Sequence, residues 1–82
     1  MEIFIRNLPF SITRDEIRAC FEQWGEVAYV RTPRDELGNL RGFAFVGMVH
    51  ARDAMLAIQE LNGEEWRGRR VDVSQARQRM AR

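Results

Sequence analysis

Arg41-Gly42-Phe43-Ala44-Phe45-Val46-Gly47-Met48 alternates one arginine and two phenylalanines with small or aliphatic residues. Side chains of a strand point alternately to the two sides of its sheet. Arg41, Phe43, Phe45 and Gly47 therefore share one face, and Gly42, Ala44, Val46 and Met48 share the other. The second set suits packing against helices. The first puts two phenyl rings and a guanidinium where a half-buried sheet normally shows polar groups. Aromatic rings facing solvent beside a positive charge form a platform on which unpaired nucleobases stack, because every base has a π-face.

Ile3-Phe4-Ile5-Arg6-Asn7-Leu8 repeats the alternation, with Ile3 and Ile5 inward and Phe4 and Arg6 outward. If the three phenylalanines pointed inward instead, Ile3, Ile5, Ala44 and Val46 would all face water, a worse arrangement. The two segments resemble the paired signatures of the RNA recognition motif (RRM), RNP2 at residues 3–8 and RNP1 at residues 41–48. RNP1 reads Lys/Arg-Gly-Phe/Tyr-Gly/Ala-Phe-Val-x-Phe/Tyr. The chain matches every defined position but the last, where Met48 replaces an aromatic on the inward face. That departure is expected to alter core packing and to leave the outward face unchanged. The resemblance covers essentially the whole chain, including Asn7-Leu8-Pro9-Phe10, Phe21 with Trp24-Gly25, Ala57-Ile58 through Leu61-Asn62-Gly63, and Gly68-Arg69 leading into Val71 and Val73.

Between the motifs, Thr13-Arg14-Asp15-Glu16 is a capping box opening a helix, and Ile17, Cys20, Phe21 and Trp24 recur at helical spacing as its buried stripe. Gly25 is expected to end that helix in the left-handed conformation. A second strand follows over Val27-Ala28-Tyr29-Val30-Arg31-Thr32, stopped by Pro33, and a turn at Gly38-Asn39 leads to the third. A second helix over His50 to Leu61 turns Ala54, Ala57, Ile58 and Leu61 inward. Trp66 belongs to a short hairpin, and Val71 and Val73 face the core from the last strand. The order is βαββαβ, an α+β fold. The resemblance implies a ferredoxin-like sandwich, a four-stranded antiparallel sheet with two helices on one face. Residues 1–76 are expected to form one domain, and 77–82 a basic C-terminal tail that clamps RNA, folds over the platform as a helix, or stays disordered.

Composition bounds the alternatives. The 82 residues, 45% hydrophobic and 30% charged, describe one small soluble domain. No secretory signal or membrane-length apolar run is present. A single Cys20 admits no internal disulfide, which with the resemblance points to a cytoplasmic setting, or a nuclear one in a eukaryote. The thirteen basic residues are all arginine and net charge is only +1, so bulk electrostatics is a weak driver of binding. Six arginines against two acids from Glu65 onward should make one side of the domain positive. No nucleophile–histidine pair, metal-ligand spacing or phosphate-cradling glycine loop exists, so neither catalysis, a metal, a cofactor nor a small-molecule substrate is expected. Acylphosphatase, an enzyme of similar size and topology, has a substrate-loop pattern that is missing here. His50 is expected to cap its helix or lie at the surface.

The resemblance implies that Phe4 and Phe45 each stack on a base, that Phe43 packs near the sugars, and that Arg41 pairs with a phosphate. Arg6 and Arg31 join that face by strand parity. Arg34, Arg70 and Gln75 are further candidates, the last where RRMs read base edges. Tyr29 belongs either to the platform or to the sheet edge, depending on whether a bulge shifts the second strand. Asp72 faces the platform, where it accepts from a base amino group or, preferably, pairs with an arginine. The expected activity is binding of short single-stranded RNA by a monomer. Single-stranded DNA is the alternative ligand, because stacking tolerates both sugars. A peptide-binding relative of the fold would carry Arg-x-Phe where this chain has Glu64-Glu65-Trp66.

Overall fold

Two runs of alternating apolar residues become the central strands of the sheet in the computed structural model, which describes residues 1–76. Strand β1 (Glu2–Arg6) lies between β3 (Phe43–Met48) and β6 (Asp72–Gln75), while β2 (Val27–Arg31) flanks β3 on its other side. All pairings are antiparallel, in the order β2-β3-β1-β6. Helices α1 (Arg14–Glu22) and α2 (Ala51–Leu61) cover one face, and a two-residue hairpin, β4 (Glu65–Trp66) with β5 (Arg69–Arg70), precedes the last strand. The expected α+β sandwich is therefore the observed one.

Parity accounts for the core. Ile3, Ile5, Ala44, Val46 and Val73 are buried from the strands, Val71 from just before β6, and Ile17, Phe21, Ala54, Ala57 and Leu61 from the helices. Met48 is also buried, so the substitution at the end of the second motif sits inside the domain. Cys20, Trp24, Ile58 and Trp66 pack half-buried around this cluster. Burial pushes the Cys20 thiol up, with Glu64 adding to the effect, which disfavours a thiolate. The capping box forms as read: the Glu16 amide donates to Thr13 Oγ1 at 3.1 Å and the Thr13 amide to Glu16 Oε1 at 2.9 Å.

One expectation is revised. Gly25 does not take the left-handed conformation; α1 ends earlier, with Gln23 as a right-handed C-cap at φ −63°. Glycine is required there by space instead, since a Cβ would lie 2.2 Å from Asp53 Oδ2 in the first turn of α2. Of the two alternatives for His50, the surface one holds: it lies exposed at the N-cap position of α2, and its side chain makes no capping bond. The proposed C-terminal tail, 77–82, lies outside the described residues. No helix among the described residues is long and apolar enough to cross a membrane.

Candidate nucleic-acid interface

Cross-strand register arranges the helix-free face into rows. Glu2, Gly47 and Tyr29 form one; Ser74, Phe4, Phe45 and Arg31 the next; Asp72, Arg6 and Phe43 the third. The phenyl rings of Phe4, Phe43 and Phe45 form a triangle with centroids 5.1 to 5.9 Å apart, Phe43 and Phe45 meeting edge to face. Each ring is half-buried, because its neighbours cover its edges, but none belongs to the core. The face is thus a cohesive apolar surface, less open than three isolated rings would be.

Arginines border it in distinct ways. The Arg31 guanidinium lies 4.5 Å from the Phe45 centroid and covers part of that ring. Arg41 precedes β3, and its guanidinium stands 5.4 Å from the Phe43 ring. Strand geometry begins only at Phe43, since Gly42 is left-handed at φ 84°, yet Arg41 still reaches the open side. Arg6 pairs with Asp72 at 3.0 Å, the pairing favoured on sequence grounds. Exposed pairs of this kind contribute about 0–1 kcal/mol, so Asp72 mainly lowers the positive potential of this corner. Arg34 turns back to the Gly38 carbonyl of its own loop at 2.9 Å. Arg70 donates to the Gly63 carbonyl at 2.8 Å. Its neighbour Arg69, which strand parity gave no reason to select, borders the Phe43 end of the face with Phe10.

Tyr29 takes the platform alternative. The register slips between Val27 and Tyr29, and the extra residue lets Val27 and Val30 both be buried. The Tyr29 ring then lies across Gly47, where a Cβ would come within 2.2 Å of Cε2. Its hydroxyl donates to Glu2 Oε2 at 2.7 Å, and Arg31 donates to the same oxygen at 2.9 Å. Glu2 therefore ties together the tyrosine and the arginine that covers Phe45, a link that parity alone did not reveal. Gln75 pairs with Ile3 and so has helix-side parity. It reaches only the cleft at the strand ends, beside Glu2, Tyr29 and Ala76. Ser74, opposite Phe4, shares the platform side of β6 with Asp72.

The charge state of this clasp has a defined pH response. Hydrogen bonds from Arg31 and then Tyr29 hold the Glu2 carboxyl below its usual value near 4.5, and donation to Glu2 raises the Tyr29 hydroxyl. A carboxyl depressed on folding stabilises the native state above its unfolded pKa, and loses that contribution as pH falls through the folded value. Carbonyl-detected NMR titration should show the Glu2 carboxyl ionised throughout pH 5–8, with an inflection below 4.5. An inflection above 4.5 would mean that the clasp does not persist in solution.

A family model for the RNA recognition motif matches residues 3–72. The chain belongs to the RNA recognition motif family. Among RRM proteins it is similar to RbpE of Nostoc sp., a protein named for RNA binding, with 42% identity over 96% of this chain and 81% of that protein. The RRM fold here also superposes on the crystal structure of RNA binding protein PG1, with a TM-score of 0.92, 35% identity and 99% of both chains covered. A Sex-lethal protein–RNA complex matches at a TM-score of 0.92 and 34% identity, over 96% of this chain and 48% of that one. This RRM thus spans about half of the Sex-lethal chain.

Proposed function

We propose that this RRM binds short single-stranded RNA, stacking one base on Phe4 and another on Phe45. Phe43 packs against the sugars between them, and Arg41 neutralises a phosphate. The observation that carries this reading is the Phe4–Phe43–Phe45 triangle on the face without helices, bordered by arginines. Membership of a family whose sheet aromatics stack two or three bases supports it. Stacking contributes about 1–3 kcal/mol per base. Two stacked bases with a few polar contacts correspond to affinity around micromolar, near −8 kcal/mol. On this reading Arg31 must move off Phe45, or sandwich the incoming base, before the second base stacks. Tyr29, Arg6 and Ser74 adjoin the two stacking positions and contact neighbouring nucleotides. Gln75, with Ala76, meets a base edge only from the strand end, and Arg70 contributes only after leaving the Gly63 carbonyl. The domain acts as a monomeric, non-catalytic binding module in the cytoplasm.

Salt dependence tests the balance between stacking and charge. Two or three arginine–phosphate contacts, at about 0.7 each for single strands, give a slope of log K against log salt near −2. Fluorescence anisotropy with labelled oligoribonucleotides between 50 and 300 mM salt measures it. A slope steeper than about −5 would show that diffuse charge dominates. Parallel titration with the matching oligodeoxyribonucleotide tests the RNA preference, since the 2′-hydroxyl is the group that separates the two. Equal affinity for both would refute that preference.

A further inference from the structure

Phe10 is 72% exposed, an unusual placement for a large apolar side chain next to charged groups. It sits in the loop between β1 and α1 and lines a cleft of about 310 Å³ with Phe4, Phe43, Arg6, Arg41 and Arg69. The cleft is continuous with the aromatic platform, because Phe4 and Phe43 belong to both. No carboxylate lines it among the described residues.

The cleft is also held in shape. Asn7 is left-handed at φ 66°, a conformation that asparagine tolerates better than most residues. Its side-chain amide donates to the Arg70 carbonyl at 2.9 Å, and its oxygens accept from Arg69. Arg69 is thereby fixed with its guanidinium 5.8 Å from the Phe10 ring. The Leu8 amide donates to the Gly42 carbonyl at 2.9 Å, binding the loop to the start of β3. Arg69 is held by a neutral partner and Arg41 by a ring face, and among the described residues neither forms a salt bridge with a carboxylate. A ring beside two such guanidiniums is complementary to one chemical unit, a nucleobase joined to a phosphate.

We propose that this cleft is a further nucleotide subsite, with a base on Phe10 and its phosphate between Arg41 and Arg69. The inference rests on the stacking reading above and extends it to at least one more nucleotide, off the sheet. The experiment compares three- and six-nucleotide oligoribonucleotides, uridylate or adenylate, whichever binds the wild-type protein more tightly, with Kd taken from NMR titration. Phe10→Ala is expected to weaken the hexamer about fivefold or more, to change the trimer less than twofold, and to leave the melting temperature unchanged. Arg69→Gln is expected to reduce the salt slope for the hexamer by about 0.7. Equal effects of Phe10→Ala on both lengths, or none on the hexamer, would overturn the subsite. Phe45→Ala, measured alongside, separates the two ideas: loss at both lengths with Phe10→Ala silent refutes the subsite alone. Insensitivity of both lengths to Phe45→Ala refutes the stacking reading itself.

Discussion

Phe45→Ala is expected to weaken binding of a single-stranded oligoribonucleotide about tenfold or more while the domain stays folded. Loss of one stacked base removes about 1–3 kcal/mol of binding free energy, and 1.4 kcal/mol is a factor of ten. Sequence alternation alone suggests that stability would barely change, but the ring is half-buried against Phe4 at 5.1 Å and Phe43 at 5.9 Å. Full burial of a phenylalanine would make truncation cost about 3–5 kcal/mol. A half-buried ring at the surface should cost about 1 kcal/mol, lowering Tm by about 4–8 °C in a domain of this size. Titration and thermal melting of the same sample separate the two effects. Phe45→Trp keeps a stacking surface and should retain affinity within a few-fold. Less than twofold loss in the alanine variant would remove Phe45 from the binding surface, and a Tm drop beyond about 20 °C would assign it to the core.

Phe21→Ala should have the opposite profile. Phe21 is fully buried on α1, packed with the core residues on the helix-covered side of the sheet. Its truncation costs about 3–5 kcal/mol, against a total stability of about 4–12 kcal/mol for a chain of this length. The variant is expected to melt at least about 15 °C lower by circular dichroism and to be partly unfolded at 37 °C. RNA binding should fall only in proportion to the unfolded fraction. Adding sucrose, which strengthens burial, should restore affinity to near the wild-type value. A variant that remains fully folded but binds RNA ten times more weakly would show that the two faces of the sheet are coupled.

The Tyr29 row shows where local sequence reading reaches its end. Sequence left open whether a bulge shifts the second strand; the register slips there, but spacing could not decide where the tyrosine ring would lie. That depended on Gly47, a residue eighteen positions away, leaving an open surface opposite it. Gly25 repeats the lesson. A glycine after a helix suggests a left-handed cap, whereas this one yields space to Asp53 of the other helix. Arg69 and Arg70 are neighbours with similar local chemistry, and only the fold turns one toward Phe10 and the other toward Gly63.

Periodicity determined the strands, both helices, most of the buried set and the face that the three phenylalanines occupy. Those properties follow from the two-residue repeat of a strand and the 3.6-residue repeat of a helix, which are local and survive any tertiary arrangement. The tertiary structure alone decided the clasp of Glu2 on Tyr29 and Arg31, the placing of Ser74 beside Phe4, and the Phe10 cleft. These depend on register between strands distant in sequence and on which long side chains find partners across them. No local repeat encodes such choices, because each is settled by groups that meet only after the sheet has closed.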